Sequence, residues 1–361
     1  LKDELLMRVL HLLSSNIKSG AENVAIQIMR LFQNEVEMFY ASPDGPIRDE
    51  LAVLGERFVP VPSLSPLNVT KIKRVIHAIK PDLIHAHDLR ASTVACLVAG
   101  KIPIISHLHV NYKSMQRIGF KSLSYYLCLP KIEYVFAVSD SVLNDYLFSK
   151  TLRSKCTVLY NVIDQSYIEA QVAADPNNYS FDILFLGRLC PQKDPVRLIN
   201  IIDLLRRQLP EVNVAIVGEG ELRGEVEVLV KERRLTNNIT FLGFVSNPYK
   251  IIANSKVGLF CSVFEGYPMA ALEEMLLGVP IVSTPTDGMT KLIHNGVNGF
   301  LGTTDLELAG CLFEVLTDEG LLRKLSQGAV TTATQRNNTE VYKQVIAAQY
   351  QLCLKKRLKN G

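Results

Sequence analysis

Short apolar runs rich in β-branched residues alternate with amphipathic helical segments along nearly the whole chain, and this alternation leaves few folds open. A strand that pairs in parallel with the next strand needs a long crossover, usually a helix, so the pattern predicts βαβ units and parallel sheets. In the first half the runs predict strands at 9–14, 36–40, 83–86, 104–107, 134–138 and 157–160. Helices are predicted at 21–32, 68–79, 90–98 and 141–148. A second series starts afresh at Phe181-Asp-Ile-Leu-Phe-Leu-Gly and continues with strands at 214–217, 239–242, 257–261 and 280–283.

A chain of 361 residues is too long for one ordinary core and suits two domains. The predicted fold is α/β, with two doubly wound Rossmann-like domains. The first covers 1–170 and the second 181–337. Between them Gln171-Val-Ala-Ala-Asp-Pro-Asn-Asn-Tyr-Ser is polar and turn-prone, as a linker over 171–180 should be. The segment 338–361 has helical periodicity and a basic end, and is expected to pack back on the first domain. Two such domains facing each other place a ligand in an interdomain cleft, at the carboxyl ends of both sheets.

Charge narrows the function classes. The net charge is only +3, so no nucleic-acid partner is expected. The excess is local: between Asp88 and Glu133 there is no acid, while Arg90, Lys101, Lys113, Arg117, Lys121 and Lys131 are present. Lys113, Arg117 and Lys121 fall at helical spacing, with Met115, Ile118, Leu123 and Tyr126 apolar among them. The stretch 113–121 is therefore read as a basic helix suited to an anionic membrane surface or a diphosphate group. Seven scattered cysteines without a CxxC pair read as reduced thiols. No apolar run is long enough to span a bilayer, and no signal peptide is visible, so a cytoplasmic protein is expected, peripheral on the inner face of the plasma membrane through that stretch. Met7-Arg-Val-Leu-His reads as a natural start that feeds the first strand.

The most informative stretch is Glu265-Gly-Tyr-Pro-Met-Ala-Ala-Leu-Glu273, two carboxylates eight positions apart across a turn and a helix start. Pro268 suits the first helical position, where its missing N–H costs nothing. Glu265 and Glu273 then lie near the positive end of a helix, which favours anions and hydroxyl-rich ligands. Glu274 is read as a helix-surface residue. A second element, Phe185-Leu-Gly-Arg-Leu-Cys-Pro-Gln-Lys-Asp-Pro, ends a strand at Gly187 and supplies Arg188 and Lys193. Arg offers a planar fork and Lys a point charge, a useful pair for an anionic leaving group.

The E-x7-E spacing with the Gly-Arg and Lys element resembles glycosyltransferase family 4, retaining enzymes of the two-domain GT-B fold that use nucleotide sugars and include bacterial surface-polysaccharide enzymes. The resemblance covers nearly the whole chain, and its specific matches concentrate in 181–301. It implies that Arg188 and Lys193 hold the donor diphosphate and that Glu273 accepts hydrogen bonds from ribose hydroxyls. Glu265 contacts the donor sugar and stabilises positive character at the anomeric carbon. The backbone of Gly266, Tyr267, Pro268 and Met269 faces sugar and phosphate, with N–H groups from all but Pro268, and Phe244 and Val245 beside Gly243 meet the base. In the first domain Gly20 resembles the family's loop glycine. His109, with His107 as its neighbour, falls where the family often has an active-site histidine.

Three features lie outside the resemblance or depart from it. Asp287 and Lys291 stand where relatives carry glycine and glutamate, and Lys291 is a candidate partner for Glu265 or Glu273. The pairs His85/His87 and His107/His109 each share a strand face, but no hydrolytic metal motif follows them, so no metal or other cofactor is expected. Gly218, Gly220 and Gly224 miss the dinucleotide spacing by one residue and read as a strand-to-helix turn. The reading is thus a retaining glycosyltransferase that moves a sugar from a nucleoside diphosphate sugar, UDP before GDP, to a carbohydrate or lipid-linked glycan acceptor. The alternatives are a nucleotide-sugar epimerase or hydrolase on the same fold, and a non-catalytic nucleotide-sugar-binding protein.

Overall fold

The computed structural model describes residues 7–17, 20–110, 112–265 and 267–360. The chain divides into two compact units, one of Leu1–Asn161 with Thr339–Gly361 and one of Val162–Asn338.

The N-terminal unit is built on a seven-stranded sheet, β1 (Arg8–Leu12), β2 (Glu37–Ser42), β3 (Phe58–Pro60), β4 (Leu83–His87), β5 (Ile104–Leu108), β6 (Ile132–Ala137) and β7 (Cys156–Val158). Its order is β3-β2-β1-β4-β5-β6-β7, with every pairing parallel. Helices cover both faces, so β4 and β5 are buried at every position, as parallel central strands require. The C-terminal helix Thr339–Asn360 belongs to this unit. Its buried residues Tyr342, Ile346, Tyr350 and Cys353 recur at four, four and three, one stripe of an α-helix. Arg357 pairs with Asp82 at 2.9 Å and Lys356 with Glu133 at 2.9 Å, tying its end to the start of β4 and to β6.

The second unit holds a six-stranded sheet of β8 (Phe181–Leu186), β9 (Val214–Val217), β10 (Ile239–Gly243), β11 (Ser255–Phe260), β12 (Ile281–Ser283) and β13 (Gly299–Leu301). The order β10-β9-β8-β11-β12-β13 is again all parallel. Strand order therefore reverses between β8 and β11, as it does between β1 and β4. In a doubly wound sheet that reversal opens a crevice at the carboxyl ends, because the two connections leave in opposite directions.

Several local expectations are corrected. The helix predicted at 141–148 is two short pieces, Asp140–Asn144 and Ser149–Arg153. Tyr146 lies between them, buried against Tyr125, with its hydroxyl donating to the Ser122 carbonyl at 3.2 Å. The basic stretch 113–121 is not one helix either. A 3₁₀ turn, Lys113–Met115, precedes a separate helix, Phe120–Cys128, and extended Gly119 stands between them. The three-residue edge strands β3 and β13 are too short to carry a period-two signal and went unpredicted. Where a linker was expected at 171–180, helix Gln165–Ala174 reaches into its first residues.

Candidate active site

In the second unit, the loops that leave β8 and β11 flank the reversal point. The β8 loop carries Arg188 and Lys193, and the β11 loop carries Glu265. The next helix, Pro195–Arg206, starts sharply: Asp194 adopts φ 46°, accepts the Arg197 N–H at 3.1 Å, and Pro195 takes the first helical position. This cap fixes the chain direction beside Lys193. The Lys193 stem passes over Gly187, and its ammonium pairs with the Glu265 carboxylate. Ser262 donates a second hydrogen bond to the same oxygen at 2.8 Å. Backbone contacts zip the two loops together, Val263 N–H donating to the Gln192 carbonyl at 2.8 Å and the Gln192 amide to that of Phe264 at 3.2 Å. Arg188 differs: it is exposed and makes no ion pair among the described residues. The site thus presents one free guanidinium beside an ammonium shared with a carboxylate.

Glycines set the floor under Arg188. Gly218, at φ +137°, packs so closely that a Cβ there would lie 2.0 Å from the Gly187 carbonyl oxygen. At Gly220 it would lie 2.2 Å from that of Leu189. The contact is secured by Gly187 N–H to Val217 and Leu189 N–H to Glu219, both at 3.0 Å. These glycines form the turn from β9 into helix Arg223–Glu232, and they serve the close passage of the β8 loop. Gly218 N–H also donates to Gly243 at 2.7 Å. Beyond Gly243, Phe244 is exposed and Val245 half-buried.

Helix Met269–Leu276 begins one residue later than expected, so Pro268 is its cap position and not its first helical residue. Tyr267 and Met269 are half-buried at this start, and Gly266 lies outside the described residues. Glu273 is half-buried; burial pushes its carboxyl up to about 7, against a hydrogen bond from the Tyr249 hydroxyl that pulls it down. Glu274 corrects the sequence reading outright. It is fully buried, not on the surface, and neither carboxylate oxygen has a hydrogen-bond partner among the described residues. Its side chain occupies the space that a Cβ at Gly258 of β11 would need, 1.8 Å from Glu274 Oε2. Burial, and then the neighbouring Glu273, hold its carboxyl well above the usual range. Lys291, considered as a partner for Glu265 or Glu273, meets Asp287 at 3.3 Å.

The raised carboxyls make stability depend on pH with a definite sign. Between the usual 4.5 and the raised value, the folded state keeps protons that the unfolded chain has released. Folding is therefore progressively less favourable as pH rises through that window. Glu274→Gln, which keeps the shape and removes the titration, should melt at a higher temperature than the wild type. The gap should widen from pH 5 to pH 7.5. A gap that stays constant would show that Glu274 does not bind its proton in the folded protein.

In the N-terminal unit, Gly20 opens helix Gly20–Leu31 in the connection after β1, and a Cβ there would meet nothing within 4 Å. His109 follows β5, its backbone N–H donating to Asp88 Oδ1 at 2.9 Å. His87 Nδ1 lies 2.9 Å from His109 Nε2, and His87 Nε2 3.0 Å from His11 Nδ1. Burial holds His11 and His109 down at about 3, so both rings are neutral at ordinary pH. His11, Ser262, Tyr249 and buried Glu274 were not found by sequence reasoning. Only His11 had a signal, since strand alternation places it with the other histidines once β1 is aligned beside β4.

A pair of parallel, doubly wound sheets, one with two cations and a carboxylate gathered at its reversal point, defines a two-domain Rossmann-like protein of the GT-B fold. The family model "Glycosyltransferase Family 4" matches residues 18–167, and "Glycosyl transferases group 1" matches 169–331. The chain belongs to this glycosyltransferase family. It is 30% identical over 254 residues to a Campylobacter jejuni enzyme, GalNAc-alpha-(1->4)-GalNAc-alpha-(1->3)-diNAcBac-PP-undecaprenol alpha-1,4-N-acetyl-D-galactosaminyltransferase, covering 67% of each chain. It is also 30% identical over 235 residues to N-acetylgalactosamine-N,N'-diacetylbacillosaminyl-diphospho-undecaprenol 4-alpha-N-acetylgalactosaminyltransferase of the same organism. That match covers 64% of this chain and 62% of the relative, so the chain spans less than two thirds of that relative's length. Among solved structures, Anabaena HepE in complex with UDP and glucose superposes with a TM-score of 0.80 at 23% identity, covering 95% of this chain and 98% of that one. Among the described residues no helix is long and apolar enough to cross a membrane.

Proposed function

We propose that the protein is a retaining glycosyltransferase, transferring a sugar from a UDP-sugar to a carbohydrate or lipid-linked glycan acceptor. The observation that carries this reading is the pairing of exposed Arg188 with the Lys193–Glu265 ion pair at the sheet reversal. The diphosphate of a breaking glycosyl bond gains negative charge, and preorganised cations stabilise that charge most efficiently. Arg188 and Lys193 would take this part without a metal cofactor. As the diphosphate approaches, Lys193 would share its charge between phosphate and Glu265, leaving Glu265 beside the sugar. The acceptor would attack on the face the leaving group departs from, through an oxocarbenium-like transition state, and the departing diphosphate would take its proton. Glu273 would accept ribose hydroxyls, Gly243, Phe244 and Val245 would meet the base, and the backbone at Tyr267, Pro268, Met269 and Gly266 would line the sugar and phosphate. Gly20 and His109 would serve the same reaction from the N-terminal unit. UDP in the HepE complexes and polyprenyl-linked acceptors in the names of the Campylobacter relatives support the choice of donor and acceptor.

Calorimetry with UDP and GDP tests the donor site. UDP should bind the wild type and bind at least tenfold more weakly, about 1.4 kcal/mol, to Glu273→Ala and to Arg188→Ala. Binding indifferent to both substitutions would remove the site from this reading. Turnover of UDP-sugar without acceptor would favour the epimerase or hydrolase, and binding without turnover the sensor. Exposed Ile118, Phe120 and Leu127 stand among Arg117 and Lys121, and this patch supports peripheral docking on an anionic membrane. Co-sedimentation with phosphatidylglycerol vesicles, lost in Phe120→Ser/Leu127→Ser, is the expected result; no sedimentation of the wild type would exclude it.

A further inference from the structure

Five imidazoles gather on one face of the N-terminal sheet. Register sets His11 beside His85 and His87 beside His107, and two-residue alternation keeps His85 with His87 and His107 with His109. Ring centroids stand 5.0 Å apart for His11–His85, 4.7 Å for His85–His87 and 4.3 Å for His107–His109. His11, His85, His87 and His107 are buried. Buried ring nitrogens are costly without partners, yet His11 Nε2, His85 Nε2, both nitrogens of His107 and His109 Nδ1 have none among the described residues. Apolar side chains would fill such a space at less cost.

We propose that His11, His85 and His87 bind one divalent transition-metal ion, with zinc the best match. One nitrogen from each lies within 4.8 Å of the others. His11 Nδ1 and His87 Nε2 are 3.0 Å apart. Two nitrogens on a tetrahedral zinc, with bonds of about 2.0–2.1 Å, stand about 3.3–3.4 Å apart. The far nitrogens point the same way. His85 Nδ1 contacts the Tyr350 hydroxyl at 2.8 Å and His87 Nδ1 contacts His109 Nε2 at 2.9 Å. Ligating histidines characteristically have the second nitrogen held in this manner, which fixes tautomer and ring orientation. Ligation through His85 Nε2 and His87 Nε2 requires their protons on Nδ1, donated to Tyr350 and His109, so no net proton is released. The ion would thereby join β1, β4 and the C-terminal helix, and would leave His109 with its proton on Nδ1. The competing trio His87, His107 and His109 also gathers its nitrogens, but there two second nitrogens, those of His107 and His109, are unheld, against that of His11 alone in the chosen trio.

Cobalt titration of the full, chelator-treated chain tests the site without reference to sugar transfer. One equivalent of Co²⁺ should give the intense visible bands of a tetrahedral centre. They should vanish in His11→Phe and His85→Phe and persist in His107→Phe, with melting curves verifying that each variant folds. Tyr350→Phe, a milder change, should weaken Co²⁺ binding by about 10–100-fold. No tetrahedral bands in the wild type, or bands lost only in His107→Phe, would overturn the assignment.

Discussion

Lys193→Ala should lower the turnover of sugar transfer by about 10²–10³-fold, the loss typical when one preorganised donor to a developing negative charge is removed. The size follows from where Lys193 sits. Its ammonium is largely shielded from water and already oriented by Glu265, which in turn is held by Ser262. A charge fixed in advance in a low-dielectric site acts without reorganising at the moment of reaction. The alternative is that Lys193 only neutralises Glu265. The double variant Lys193→Ala/Glu265→Gln separates the two, because removing both charges relieves the uncompensated carboxylate. If Lys193 acts on the leaving group, the double variant stays at least 10²-fold slower than Glu265→Gln. Recovery to near the Glu265→Gln rate would reduce Lys193 to a structural partner. Single-turnover rates at saturating donor are the appropriate measurement, since they separate chemistry from binding.

Gly218→Ala is expected to cost about 4 kcal/mol or more, in the class of large effects that follow from strain and overpacking together. An added Cβ would sit 2.0 Å from the Gly187 oxygen, where backbone and not a flexible side chain must give way, at a φ of +137°. The same displacement would move Arg188, so transfer should fall even in the fraction that folds. Gly224→Ala provides the contrast. It lies in a helix with nothing within 4 Å of the new methyl group, and should stabilise by up to about 1 kcal/mol. Urea unfolding of the two variants measures both effects. Comparable stabilities would mean that the β8 and β9 loops pass less closely than described.

A third pair addresses Glu274. Gly258→Ala should destabilise because its methyl group would overlap the Glu274 carboxylate, 1.8 Å from Oε2. In Gly258→Ala/Glu274→Ala the space is vacated, so the double variant should recover part of that loss. A strictly additive result in thermal melts would disprove the contact.

The alternation of apolar runs was enough to place the parallel strands, because in a parallel sheet the burial of both strand faces writes a continuous apolar signal into the sequence. Val214–Val217 was legible to the residue for that reason, and Arg188, Lys193, Glu265 and Glu273 stood out as candidates through the family resemblance that their spacing carries. What remained hidden depends on contacts between segments remote in sequence. Nothing in Glu273-Glu274 says which carboxylate turns inward; the missing side chain at Gly258, sixteen positions away on β11, decides it. The helix expected at 141–148 is divided around Tyr146, whose place in the core is set by Tyr125 and Ser122. Likewise His11 is an ordinary strand residue until β1 is laid beside β4, where register brings it to His85 and His87. Sequence determined most of the strands and the candidate cations, since each is a local pattern. Only the tertiary structure decided which polar groups are buried together, because burial is a property of neighbours that the chain brings in from elsewhere.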